Sequence, residues 1–260
     1  MKKKLICAIV PLFLYSSACT FSPEEKTQTE QAQHTKNQTQ TKTPDDFELK
    51  GKYFNTIETA GSSQVITNPE NILVLVNKDF TLPVDYKPAD LVVPNVPFSF
   101  GDADVPQKYI RKEAAAALES LFSGAKKSGI ELFAVSGFRS YDRQGNILNQ
   151  EIAAKGEKKA EQAVALPGQS EHQTGLAMDI SSRSVNLEIT EKFGEVPEGK
   201  WIKKNAHKYG FIVRYENDKT EVTEFMYEPW HLRYVGKKTA AILNKHDLTL
   251  EEFFEQAKKI

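Results

Sequence analysis

Four side chains in the second half of this sequence are of types that hold a metal and move protons. His172 and Asp179 sit seven residues apart in Ser170-Glu171-His172-Gln173-Thr174-Gly175-Leu176-Ala177-Met178-Asp179. Further on, Glu228-Pro229-Trp230-His231 brings a second imidazole and another carboxylate. Two His and one carboxylate fill three places on a tetrahedral Zn2+ and leave the fourth open, the pattern of catalytic rather than structural zinc. Glu228 beside the last ligand supplies the acid/base group that zinc-assisted hydrolysis needs. The chemistry expected of such a set is a zinc peptidase with one ion per chain.

A lone His in a loop is usually structural; the spacing of the whole set is what argues for a metal. Gly175 offers a turn that folds the loop back, so His172 and Asp179 can converge. Ala177 and Asp179 share one strand face, because side chains alternate along a strand. His231 must then come from a neighbouring strand. Glu228 and His231, three apart, would face opposite ways in a flat strand, and Pro229, which cannot hold a regular ladder position, is expected to bend it. Arg139, in Ser136-Gly137-Phe138-Arg139-Ser140-Tyr141, lies on a strand-to-helix turn. From there it could stabilise an oxyanion or grip a substrate carboxylate through two hydrogen bonds. His207 and His246 read as surface or capping residues. Ser123-Gly124-Ala125-Lys126 fits the Ser-x-x-Lys of serine acyl-transfer enzymes, and Ser184-Val185-Asn186 resembles their second motif, but no Lys-Thr-Gly follows.

The elements that must position these residues are short. An apolar run, Ile72–Val76, has strand length. Between them, Leu82-Pro83 and Val93-Pro94 punctuate an extended loop. From Val105 to Lys127 the pattern is helical, with Pro106 in the first turn and Ile110, Ala114, Ala117, Leu118, Leu121 and Ala125 on one face. Leu132–Val135 reads as a buried strand, Ser140 as the N-cap of a helix carrying Gln144, and Glu157–Val164 as a further helix. A helix over Lys200–Tyr209 stops at Gly210 and leads into a strand over Phe211–Tyr215. Thr220–Phe225 is expected to pair with the last strand, Glu228–Tyr234. Thr249 and Glu252 form a capping box for a C-terminal helix. Helices and short strands without βαβ alternation point to an α+β fold with a small antiparallel sheet.

The chain has 260 residues, 40% of them apolar, and a formal net charge of −1, so no global field favours nucleic acid or an anionic membrane. Both cysteines, Cys7 and Cys19, lie in the first twenty residues, which leaves His and carboxylates as the metal donors. Residues 1–19 read as an export signal: Lys2–Lys4, an apolar run from Leu5 to Tyr15 too short to span a bilayer, then Ser16-Ser17-Ala18-Cys19. That ending resembles the lipobox of bacterial lipoproteins, with Ser16 where Leu is usual, and implies a lipidated Cys19. Simple cleavage after Ala18 and secretion is the alternative. Residues 20–46 are polar and read as a disordered tether. Residues 47–260 are the folded domain, read as a monomer held by its lipid on the outer face of the cell membrane.

Taken together, Ser136-Gly137-Phe138-Arg139-Ser140-Tyr141 with Gln144, Ser170-x-His172-x-x-Gly175-x-Ala177-x-Asp179 and Glu228-x-x-His231 resemble the three motifs of the VanY-type D-alanyl-D-alanine carboxypeptidases. Phe138 stands where that family often has Tyr. The resemblance covers roughly residues 70–245. It implies the hedgehog/DD-peptidase type of α+β fold, with zinc on His172, Asp179 and His231 and Glu228 as catalytic base. It further implies a substrate site lined by Arg139, Gln144, Ser170 and Trp230. The implied substrate is a peptidoglycan stem peptide trimmed of its terminal D-Ala, by D,D- or L,D-cleavage. Two rivals stand beside it: a non-catalytic zinc-containing wall-binding lipoprotein, and a zinc peptidoglycan endopeptidase.

Overall fold

A computed structural model describes residues 45–260, apart from the side chains of 161–163. The expected export signal with Cys19, and the expected tether as far as residue 44, lie outside the described residues. Among the described residues no helix is long and apolar enough to cross a membrane. The strands are β1 (Glu48–Leu49), β2 (Ile57–Ala60), β3 (Ser63–Ile66), β4 (Phe80–Thr81), β5 (Leu91–Val92), β6 (Ile110–Arg111), β7 (Phe133–Ser136), β8 (Ala177–Ser181), β9 (Phe211–Tyr215), β10 (Glu228–Tyr234) and β11 (Lys258–Lys259). The helices are α1 (Lys112–Lys127), α2 (Tyr141–Lys155), α3 (Glu157–Ala163), α4 (Pro197–Asn205), α5 (Thr220–Thr223), α6 (Lys237–His246) and α7 (Leu250–Gln256).

The site is built on an antiparallel sheet in the order β7-β8-β10-β9. Its two faces divide the labour. Met178 and Ile180 of β8, Leu232 of β10 and Ala134 of β7 are buried with Ala114, Leu118, Leu121 and Ala125 of α1 in the main core. The alternate residues, Asp179 and His231, are direct cross-strand partners on the opposite face. Period-two alternation therefore aims the polar side chains away from the core that fixes their backbone. A second apolar cluster joins Leu73, Leu75, Val235, Leu243, Leu250 and Phe253, linking the C-terminal helices to the segment before β4.

Several elements depart from the sequence expectation. Ile72–Val76 is irregular, not a strand, with Ile72 half-buried and Leu73, Val74, Leu75 and Val76 buried. The Asn55 side chain donates to Leu75 O (2.7 Å) and accepts from Leu75 N (3.1 Å), taking the place of a ladder partner. The helix expected from Val105 begins only at Lys112. Pro106 opens a short 3-10 turn, and Ile110–Arg111 pairs with Leu91–Val92, so tertiary pairing overrides the helical period. Thr220–Phe225 forms no strand; it contains α5 and a left-handed Glu224. The β2–β3 hairpin and α6 lie outside the sequence expectations. The capping box forms as expected, with Thr249 and Glu252 bonded reciprocally. Asp46, at the end of the polar N-terminal stretch, accepts from Lys245 Nζ (2.6 Å) and lies 3.0 Å from His246 Nε2.

Candidate metal centre and active site

His172 comes from a 3-10 turn over Glu171–Thr174 that ends on Gly175. Gly175 has φ +64°, and a Cβ there would stand 2.8 Å from Leu91 Cδ2, so glycine is required both by conformation and by space. The turn delivers His172 over the sheet, and β8 follows at once with Asp179. His231 arrives on the adjacent strand. Glu228 joins it because β10 is irregular: Glu228 pairs with Tyr215 and Leu232 with Val213, so β10 advances four residues while β9 advances two. This bulge at Pro229 brings Glu228 Oε2 to 3.7 Å from His231 Nδ1, on the same side.

His172 Nε2 is 3.3 Å from Asp179 Oδ2, and His231 Nδ1 is 3.1 Å from Asp179 Oδ1. One donor atom from each of the three residues lies within 4.8 Å of the others, and all three residues are buried. Atoms bound at about 2.0–2.1 Å to a tetrahedral zinc stand about 3.3–3.4 Å apart. Asp179 Oδ1 is buried and, apart from the His231 ring 3.1 Å away, has no hydrogen-bonding group beside it among the described residues. A buried carboxylate with one imidazole nitrogen against each of its oxygens is what a cation would satisfy.

The other ring nitrogens are committed. His172 Nδ1 lies 2.8 Å from Gly137 O, an acceptor only, so Nδ1 carries the proton and Nε2 keeps its lone pair for the metal. His231 Nε2 is 3.3 Å from Glu171 Oε2, which leaves Nδ1 facing Asp179. Burial lowers His172, with the neighbouring Asp179 charge opposing. Burial alone would raise Asp179, yet the two imidazoles hold its carboxyl well below the usual range. For His231 burial is outweighed by the Asp179 and Glu171 carboxylates, which raise it to about 9. A cation that takes Nδ1 of His231 would do so in place of a proton.

A cleft of about 230 Å³ opens over these groups, lined also by Arg139, Gln144, Ser170, Trp230, Ile147, Ile189 and Phe225. Every residue expected at the site thus lies on one cavity, while Ser123 and Lys126 line a separate groove. Ser184 donates to Glu198 on the surface. Glu228 has its carboxyl pushed up to about 7 by desolvation, His231 and Arg139 opposing and the Asp179 charge adding to the rise. Arg139 donates from Nη1 to Gln144 Oε1 (2.9 Å) and from Nη2 to Ser136 Oγ (3.3 Å), and stands 3.9 Å from Asp179. Its buried Nε has no partner. Gln144 also donates from Nε2 to Ala165 O (2.7 Å), so both ends of its amide are held by protein. Gly137 sets the turn against the chain before it: a Cβ would lie 2.4 Å from Tyr109 O.

Sequence reasoning missed Glu171, Arg214 and Arg233. The Glu171 carboxylate is 1% exposed and accepts from both Arg214 Nε (2.8 Å) and Arg233 Nη1 (2.7 Å). An arginine inside each of two strands, Phe211–Tyr215 and Glu228–Tyr234, was the available signal.

The model of the VanY D-alanyl-D-alanine carboxypeptidase family matches residues 107–237. The putative carboxypeptidase YodJ of Bacillus subtilis (strain 168) is 55% identical over 245 residues, covering 94% of this chain and 87% of the relative. Among solved structures, the LdcB LD-carboxypeptidase is 58% identical with a TM-score of 0.79, over 82% of this chain and all (100%) of that one. A mutant of the vancomycin-resistance D,D-pentapeptidase VanY in complex with Zn(II) is 31% identical with a TM-score of 0.57, over 70% of this chain and 98% of that one. A matching family model, a long relative and a metal-bearing neighbour agree with the donor set on the sheet, and the chain belongs to the VanY D-alanyl-D-alanine carboxypeptidase family.

Proposed function

We propose that this chain is a zinc-dependent carboxypeptidase that removes the terminal D-Ala from peptidoglycan stem peptides, with L,D-cleavage of tetrapeptides as its main reaction. The observation that carries the reading is one cleft holding the donors His172, Asp179 and His231, a carboxyl near neutral pKa and an arginine with an unused donor. The 58% identity to an LD-carboxypeptidase, against 31% to a D,D-pentapeptidase, favours the L,D choice.

Zinc, when bound, supplies Lewis acidity to the scissile carbonyl and lowers the pKa of water toward about 7. Glu228 takes the proton of the attacking water and later delivers it to the leaving amine of D-Ala. A pKa near the working pH suits a group that must do both. Arg139, with Gln144 holding Nη1, turns its remaining donors toward the C-terminal carboxylate of the substrate. That clamp closes one end of the cleft, which suits release of a single amino acid and opposes endopeptidase action. Ser170 and Trp230 wall the cleft beside the peptide. A role in wall maturation, performed outside the membrane from a lipid on Cys19, completes the proposal; loss of membrane fractionation in Cys19→Ala tests the anchor.

Incubation with synthetic tetra- and pentapeptides, with and without a chelator, tests the reaction. Free D-Ala, released faster from the tetrapeptide and abolished by the chelator, is expected. Release of dipeptides or larger pieces, or chelator-insensitive turnover, would contradict it.

A further inference from the structure

Outside the groups assigned to chemistry, the most heavily constrained charges are four: Glu171, Arg214, Arg233 and Glu251. Arg214 and Arg233 are 2% and 0% exposed, and Glu171 is 1% exposed. Arg214 donates Nε to Glu171 Oε1 and its two terminal nitrogens to Glu251, Nη1 reaching Oε2 at 2.9 Å. Arg233 gives Nη1 to Glu171 Oε1 and Nη2 to the carbonyls of Ile72 (3.2 Å) and Val74 (2.7 Å). Two carboxylates and two guanidiniums balance, and both Glu171 donors fall on Oε1. Oε2 is left for His231 Nε2.

We propose that Glu171 is the positioning residue of the metal centre. Held on Oε1 by two arginines, it uses Oε2 to fix the proton of His231 on Nε2 and so presents Nδ1 to zinc. The device reaches further than the sheet. Glu251 stands on α7, past residue 237 where the family match ends, and it orients Arg214 through a two-point bridge. The C-terminal helix thus sets the geometry of a metal ligand through Arg214 and Glu171. A buried ion network of this kind adds little net stability against apolar packing, so its use here is orientation. The inference rests on zinc being held by His172, Asp179 and His231.

Zinc affinity of the full chain, measured by competition with a chromophoric chelator, separates the possibilities when read beside thermal unfolding of the metal-free protein. Glu171→Gln should weaken zinc about 10–100-fold, the range for lost outer-shell partners, and Glu251→Gln should weaken it in the same direction. The control is Glu252→Ala, which removes the acceptor for Thr249 N in the α7 capping box and the Lys219 bridge but not the charge chain; it should lower the melting temperature without lowering zinc affinity. Nitrogen-15 spectra of zinc-loaded protein should show the His231 Nε2–H exchanging slowly in the wild type and rapidly in Glu171→Gln. Wild-type zinc affinity in Glu171→Gln overturns the proposal. So does an equal loss in Glu252→Ala and Glu251→Gln at matched stability. If Glu171→Gln does not fold, the Glu251 and Glu252 pair decides. A wild-type chain that takes up no zinc removes the metal reading itself, a different result from tight binding that ignores Glu171.

Discussion

Glu228→Gln should make the metal-free protein more stable and the enzyme nearly inactive. Burial moves the Glu228 carboxyl from its ordinary 4.5 to about 7. A gap of about 2.5 pH units at 1.36 kcal/mol each makes the ionised group about 3 kcal/mol worse off folded than unfolded. The side chain is one-fifth exposed (20%), so solvent screening removes only part of this. The sign follows from linkage. Below about pH 4.5 the carboxyl is protonated in both states and there is no cost; as pH rises toward 7 the unfolded chain loses its proton first, and the penalty grows to its full value above 7. A neutral amide of the same shape avoids it. At about 2–4 °C per kcal/mol for a domain of this size, the variant should melt about 6–10 °C higher at pH 8 and level with the wild type at pH 4. Turnover should fall by about 10²–10⁴, the usual worth of a positioned acid/base group. Zinc content should be unchanged, because Glu228 is not one of the three donors. Differential scanning calorimetry at the two pH values, with D-Ala release measured in parallel, makes the check. Equal melting at pH 8, or wild-type turnover, would refute the argument that desolvation tunes this residue.

Arg139→Lys keeps a charge but loses the planar fork; with one charge-assisted hydrogen bond gone, at about 1.5–3 kcal/mol, kcat/KM should drop about 10–100-fold, and steady-state kinetics with a tetrapeptide would show it. Gly137→Ala forces a methyl against Tyr109 O and Met178 Cε; it should cost about 1–3 kcal/mol by overpacking and lower zinc affinity as well, since Gly137 O holds His172, both readable from melting curves with and without zinc. Glu171, whose carboxyl the two arginines hold far below its ordinary 4.5 against the opposing effect of burial, contributes stability that is complete above that value and drains as pH falls below it. An acid titration of folding should therefore be steeper in the wild type than in Glu171→Gln, and identical acid limbs would exclude the linkage.

The reactive side chains were legible because they combine donor types with short spacings. His172 and Asp179 are tied by one turn and one strand, and the period of two decides which face Asp179 takes. Even the awkward three-residue step from Glu228 to His231 announced itself through Pro229, and the register shifts between Glu228 and Leu232. What was not legible depends on distant partners. Glu171 neighbours His172 in sequence, but its meaning comes from Arg214, Arg233 and Glu251 on other elements. A charged residue read alone is a solvated one. Ile72–Val76 has the composition of a strand, yet its backbone groups bond to Asn55 and Arg233 side chains, a choice that apolar periodicity cannot reveal. The start of α1 was masked in the same way, because Ile110–Arg111 satisfies the helical pattern and the β5 pairing equally well.

The most direct test of the metal centre is X-ray absorption at the zinc edge on protein loaded with one equivalent of Zn2+, beside the same protein carrying His172→Ala. The wild type should bind one ion with a first shell of nitrogen and oxygen only, at about 2.0–2.1 Å, two of the scatterers being imidazole, and the variant should lose it. A shell without imidazole, or binding that survives His172→Ala unchanged, would contradict the assignment of His172, Asp179 and His231 as the ligands.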